Sequence, residues 1–328
     1  MRTPGSLGLA WLLLASALGG VWARAGEAPA APVFDVPRLE NITVDGKAED
    51  WGEQGFRVDV LADPTGKALP AANYDAAFRL GWDDNGLLVL ISVQDDVFLE
   101  PFKKPEELWK GDSVEVFMAT KRGGEDSFQV VIAPGCDPNS AEVRHNISDY
   151  RKTTELAKTK LEITVARTKT ERGFVMEVLL PWKNLGVEAK EGREVGFQFY
   201  ANDSDKEGER FQLLWYAVAE ANVDSNRMYS VRLAAKPSPA VRAVARGGYD
   251  GEGLAQINVV AVSALKGKEV KVKADDKTVG KAKLEAEGGR AMAKITLPTP
   301  KEKAYGPLAV LVDDEALGTV TLPEKTPK

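Results

Sequence analysis

LWKGDSVEVFM (residues 108–118) places a tryptophan and a charged turn ahead of a segment in which Val114, Val116 and Met118 alternate. In an extended chain those three share one face, and Glu115 stands on the other. The same period of two recurs on both sides. Leu87, Val89, Ile91 and Val93 precede it; Phe128, Val130 and Ile132, then Leu161, Ile163 and Val165, follow. Phe174, Met176, Val178 and Leu180, then Val195, Phe197 and Phe199, then Phe211, Leu213 and Trp215 complete the series. The opposite positions are mixed: Leu88 and Leu90, but Glu115, Gln129, Glu177, Gln198 and Gln212. That is the pattern of a sheet with one dry and one partly wet face. No segment carries a long helical stripe, and PEELWK and WKNLG can each make a single turn. Asp84-Asn85-Gly86 has hairpin-turn chemistry. Residues 33–234 are therefore expected to form an antiparallel β-sandwich.

AAKPSPA (residues 234–240) is short, small and interrupted by two prolines, the composition of a linker, placed at 235–240. Beyond it Ile257, Val259 and Ala261, then Val270, Val272 and Ala274, then Leu308, Val310 and Val312 alternate again, with two Asp-Asp turns between strands. About seven short strands here fit a smaller immunoglobulin-like β-sandwich over 241–328. At the other end, Arg2, an apolar run over 7–18 and Ala23-Arg24-Ala25 have the order of a secretory signal peptide covering residues 1–25. No other apolar run is long enough to span a bilayer. The expectation is an exported protein, secreted, periplasmic or at the cell surface.

Composition removes several function classes. From Pro237 onward the chain carries 15 Lys+Arg against 12 Asp+Glu, within a total of 43 against 49, so the front part is acidic and suits no nucleic-acid backbone. The single cysteine, Cys136, closes no intramolecular disulfide, and it sits in a loop-like APGCDPNS stretch. The single histidine, His145, reads as an ordinary loop residue and builds neither a triad nor a two-histidine metal site. There is no nucleophile elbow, phosphate loop or dinucleotide fingerprint. Asp112 and Glu115 are the tempting carboxylate pair, but three positions apart on a strand they point to opposite faces, unless Asp112 lies in the preceding turn. No catalytic residue is assigned.

Sugar binding asks for something else: an aromatic plane for the C–H face of a pyranose, and polar side chains for its rim of hydroxyls. Trp109, Glu115 and, on the next strand, Gln129 offer that combination. ITVDGKAEDWG (42–52), LGWDDNGLLVLISVQDDVF (80–98), LWKGDSVEVFM, GFVMEVLLPWKNLG (173–186) and GREVGFQFYANDSDKEGER (192–210) occur in order. Together they resemble the family 9 carbohydrate-binding modules over residues 42–233. The resemblance implies a non-catalytic module that holds a sugar or a polysaccharide chain end between two tryptophans, as in appendages of secreted xylanases. Trp109 matches the first tryptophan and Glu115 the hydroxyl-binding glutamate, while Gln129 stands where the family has an arginine. No tryptophan falls where the second should lie; Asn222, Asn226 and Tyr229 are the substitutes there. Trp51, Trp82 and Trp182 match packing positions. The resemblance also implies structural calcium, for which Asp203, Asp205 and Glu207, or alternatively Asp95 and Asp96, supply hard oxygen ligands. Leu214 at the twelfth position excludes a true EF-hand. Rival expectations are an adhesion module that keeps the fold without a sugar, an accessory component of a glycoside hydrolase system, and a haem-binding relative that would need His145 as a ligand.

Overall fold

The computed structural model describes residues 32–300 and 304–323. The expected signal peptide lies outside the described residues. Alternation of large apolar side chains builds two facing sheets. One has seven strands in the order β1-β12-β10-β5-β6-β7, with β11 paired to β10. These are β1 (Val33–Pro37), β5 (Ser113–Ala119), β6 (Ser127–Ala133), β7 (Arg144–Asp149), β10 (Glu194–Asp203), β11 (Phe211–Leu214) and β12 (Tyr229–Ala234). The other has five, β2-β3-β4-β9-β8: β2 (Phe56–Val58), β3 (Tyr74–Trp82), β4 (Gly86–Asp95), β8 (Thr164–Thr170) and β9 (Gly173–Pro181). All pairings within these sheets are antiparallel except β1 with β12. The alternating residues of both sheets meet in one core, with Phe34, Phe56, Phe78, Phe199, Trp215 and Tyr229 in mutual ring contact. Each such ring removed from water is worth about 2–3 kcal/mol.

The expected wet outer faces are largely closed. Glu177 is 1% exposed and Gln198 fully buried, because connecting segments fold over the sheets. On the five-stranded sheet, Leu39 and Trp51 cover Leu88 and Leu90. Trp51, Trp82, Trp182 and Trp215 are all buried. PEELWK and Trp182–Asn184 each form a short 3-10 turn. His145 lies on the edge strand β7, exposed and opposite Ile132, rather than in a loop. Its short, polar strand has too little apolar periodicity to be read from sequence. Cys136 is in a loop but buried, which pushes its thiol up to about 11.

The remaining strands form two four-stranded sheets. One is ordered β13-β14-β18-β17 and comprises β13 (Ala243–Tyr249), β14 (Ala255–Val262), β18 (Arg290–Thr296) and β17 (Glu285–Glu287). The other, β16-β15-β19-β20, comprises β16 (Lys277–Lys283), β15 (Glu269–Ala274), β19 (Leu308–Val312) and β20 (Glu315–Val320). They enclose a second, aliphatic core around Ile257, Val259, Val272 and Val310. This unit touches the front sandwich through Val60, Ala62, Val244 and Val260. Two buried arginines cross the boundary: Arg246 donates to the Leu214 and Trp215 carbonyls, and Arg290 to those of Leu69 and Tyr74 and to Asp75. Among the described residues no helix is long and apolar enough to cross a membrane.

Candidate functional site

The site lies on the outward face of the seven-stranded sheet. Val114, Val116 and Met118 point inward, so strand parity sends Glu115 outward, yet it is only 4% exposed. Three amides from three neighbouring strands surround it. Gln129 Nε2 donates to Glu115 Oε2 at 2.6 Å, and Asn202 Nδ2 and Gln212 Nε2 donate to Oε1 at 2.8 and 3.3 Å. The net extends outward: Tyr150 donates to Gln129 Oε1 at 3.0 Å, and Gln212 Nε2 also donates to Asn202 Oδ1 at 2.8 Å. Burial raises the pKa of Glu115, and the three amides together with the Arg210 charge oppose that rise. Gln129, Asn202 and Gln212 are thereby held in fixed orientations across three strands.

Trp109 stands at one end of this net. The 3-10 turn Pro105–Lys110 carries it there: Pro105 opens the turn and Leu108 is buried beneath it. Leu108 packs on Val131 and Ala133. The Trp109 ring remains 38% exposed, whereas the other described tryptophans are at most 4% exposed. Arg210, exposed at the start of β11, lays its guanidinium 4.7 Å from the centre of the Trp109 ring. Partial loss of water around Arg210 lowers its pKa, and the Glu115 charge opposes this.

Trp109, Glu115 and Gln129 are thus gathered in one place. Asn222 and Tyr229 do not join them. Tyr229 opposes Phe197 in register, and its ring packs 4.7 Å from Trp215, on the core side of the sheet. Parity decides this: a residue paired with an inward phenylalanine is itself inward. Asn222 lies exposed in the segment between β11 and β12, beside Val223, which is 75% exposed, and no hydrogen bond ties it to the Glu115 net among the described residues. Asn226 donates to Asp224 instead. Asn202, Gln212 and Arg210 were not singled out from sequence. The available signal was parity: Gln212 and Asn202 are outward positions of strands that pair with each other and flank Glu115.

A second polar centre lies nearby. Asp95, Asp112 and Asp203, all buried, bring carboxylate oxygens within 4.8 Å of one another; Asp95, Asp96 and Asp205 form an adjoining group. Asp203 and Asp205 are therefore placed in these groups, whereas Glu207 is exposed and belongs to neither. Burial first, then mutual repulsion, pushes Asp95 up to about 8, Asp112 to about 9 and Asp203 to about 7. Asp112 accepts from the Leu99 and Ser204 backbone N–H groups. By contrast Asp95 Oδ2, Asp203 Oδ1 and Asn73 Oδ1 are buried with no hydrogen-bond partner. Unsatisfied buried oxygens of this kind fit a hard divalent cation.

The family model described as "Carbohydrate family 9 binding domain-like" matches residues 44–236, and the chain belongs to that family. That part of the chain is a carbohydrate-binding domain of a non-catalytic kind. The chain is 25% identical over 203 residues to Exoglucanase XynX of Acetivibrio thermocellus, covering 61% of this chain and 17% of that protein. It is 25% identical over 142 residues to Endo-1,4-beta-xylanase A of Thermotoga maritima, covering 43% and 12%. It thus spans less than a fifth of the length of these curated relatives. Among solved structures it is similar to a family 9 carbohydrate-binding module of Caldicellulosiruptor kristjanssonii in complex with cellotriose, with a TM-score of 0.47 and 17% identity, covering 62% of this chain and 94% of that one. A putative carbohydrate-binding protein from Bacteroides uniformis gives 0.44 and 10%, covering 62% and 100%.

Proposed function

We propose that the protein is exported and holds a sugar or a polysaccharide chain end at the Trp109 site. The observation that carries this is the juxtaposition of an exposed indole with a net of fixed amides around a buried carboxylate. The indole offers the stacking plane, and the half-buried Gln129 and Gln212, with Glu115 beneath them, offer donors and acceptors for the hydroxyl rim, while the buried Asn202 holds them in place. A site in which polar groups are already oriented costs little ordering on binding. The work fits an accessory component of polysaccharide use; the xylanase and exoglucanase names among the relatives suggest plant-type glucans and xylans as the first ligands to try.

We also propose a divalent cation, calcium by donor chemistry, held by Asp95, Asp112 and Asp203 and flanked by Asp96 and Asp205. Such an ion would offset most of the charge of three buried carboxylates and fix the start of β5 against the end of β10.

One specific observation favours the rival in which the fold persists as an adhesion module. In the segment expected to carry a second stacking tryptophan, Val223 is the most exposed large apolar side chain. A glycan array followed by calorimetry on the full chain decides between the two. Binding that disappears in Trp109→Ala supports the sugar site; no binding to any glycan leaves the adhesion module.

A further inference from the structure

We propose that Arg210 makes the Trp109 site selective for acidic sugars, taking the carboxylate of a uronic acid residue. This inference rests on the sugar-binding function proposed above and names its ligand class. Arg210 bridges the two halves of the site. Its Nη1 reaches the Trp109 carbonyl at 3.4 Å and Asn202 Oδ1 at 3.5 Å, both at the long limit of a hydrogen bond. Its Nε and Nη2 donate to no group among the described residues, and no carboxylate lies within ion-pair distance of it there.

Arg144 and Arg151 show what a structural arginine does in this fold. Arg151 spends its guanidinium on Asp149, Thr159 and the Asn184 carbonyl, and Arg144 on Glu100 and the Phe102 carbonyl. Arg210 makes no such ion pair: besides its stacking on Trp109 and two long Nη1 contacts, its Nε and Nη2 are unengaged among the described residues. Glu115, the nearby anion, has both oxygens engaged by amides, so it does not consume the guanidinium. Nε and Nη2 lie along one edge of the planar group, and two parallel N–H bonds from that edge match the two oxygens of a carboxylate. A hydroxyl offers one oxygen and no charge, and leaves half of that edge unused. A uronic acid has the required layout: a ring for Trp109, hydroxyls for the amide net, and a carboxylate at the ring's edge for Arg210.

Calorimetry on the full chain with glucuronate and galacturonate, against glucose, galactose and xylose, tests this. Each uronate is expected to bind about tenfold or more tightly than its neutral counterpart, the scale of a charge-assisted bond. Added salt should narrow the gap. Arg210→Gln should abolish the gap, read as the ratio of uronate to neutral-sugar affinity within the variant, and Arg210→Lys, which restores the charge but not the fork, should recover only part of it. Equal affinity for glucose and glucuronate overturns the inference. So does a rise in neutral-sugar affinity in Arg210→Gln, which would make Arg210 a lid on Trp109. Should no sugar of either kind bind, the sugar-binding function itself falls; neutral sugars binding as well as uronates spares that function and removes only the role of Arg210.

Discussion

Each sheet of the front sandwich carries a glutamate in mid-strand on its outward face, and each glutamate is buried beside a segment bearing a tryptophan, but the two have opposite fates. On the five-stranded sheet Glu177 accepts from the backbone N–H groups of Asp45, Gly46 and Lys47 and from Trp51 Nε1 at 2.8 Å. Gly46 has a φ of +85°, and a Cβ there would lie 2.7 Å from the Arg167 backbone, so the chain presses flat onto the sheet. Trp51 is fully buried. On the seven-stranded sheet Glu115 is surrounded by side-chain amides rather than backbone, and Trp109 stands open. A carboxylate saturated by a loop is a clasp. A carboxylate held by side-chain amides, two of which, Gln129 and Gln212, remain half-exposed, is the start of a binding surface.

The largest effects should fall on the clasp. Glu177→Ala leaves the Asp45 and Gly46 backbone N–H groups and an indole N–H unpaired, while Lys47 N–H keeps Asp45 Oδ1, and Trp51→Ala empties a fully buried site. Each is expected to cost about 3–5 kcal/mol of stability, read as a shift in denaturant midpoint. Sugar affinity per folded molecule should not move. A loss below about 1 kcal/mol in both variants would erase the distinction between clasp and site.

Removal of a divalent ion comes next. If calcium fills the Asp95–Asp112–Asp203 centre, saturating ion should stabilise the fold by about 2–3 kcal/mol relative to chelator, because the ion binds only the folded arrangement. Asp203→Asn should abolish that response. Superimposable melting curves with calcium and with chelator would remove the ion.

Glu115→Gln is expected to cost about 1–2 kcal/mol, since its new NH2 group faces amide donors where an acceptor was needed. Sugar binding should weaken sharply at the same time, because the orientation of Gln129 and Asn202 depends on that acceptor. A variant that loses stability and keeps full affinity would make Glu115 a second clasp.

The smallest stability change belongs to Trp109→Ala, within about 0.5 kcal/mol, as for an exposed side chain. Affinity should fall about tenfold or more, the worth of a stacking platform. A large drop in melting temperature with unchanged affinity would reverse the comparison.

Much of this architecture was legible because period-two alternation is a local property. Val114, Val116 and Met118, or Phe174, Met176 and Val178, declare a strand and its inward face without reference to any other segment. Strands poor in that signal were not: β1 is short and pairs in parallel, and β7 carries Arg144, His145, Asn146 and Ser148. The wet face was also misjudged. Glu177 and Gln198 read as solvated, yet covering segments bury them: Glu177 is bonded by residues of 45–51 and Gln198 by Tyr216, so coverage depends on partners 132 and 18 positions away.

What the chain order determined by itself is the all-β class, the inward faces and the family, together with Trp109, Glu115 and Gln129 as a candidate set. The class and the inward faces follow from residue type and spacing, which act over a few positions, and the family and its site residues from the resemblance of the ordered motifs. What only the tertiary structure decided is which tryptophan stays open, which carboxylate is a clasp, that Tyr229 belongs to the core, and that Arg210 and Asn202 complete the site. Those outcomes depend on strand pairing and loop coverage, where side chains far apart in sequence compete for the same few ångströms, and no local pattern encodes the winner.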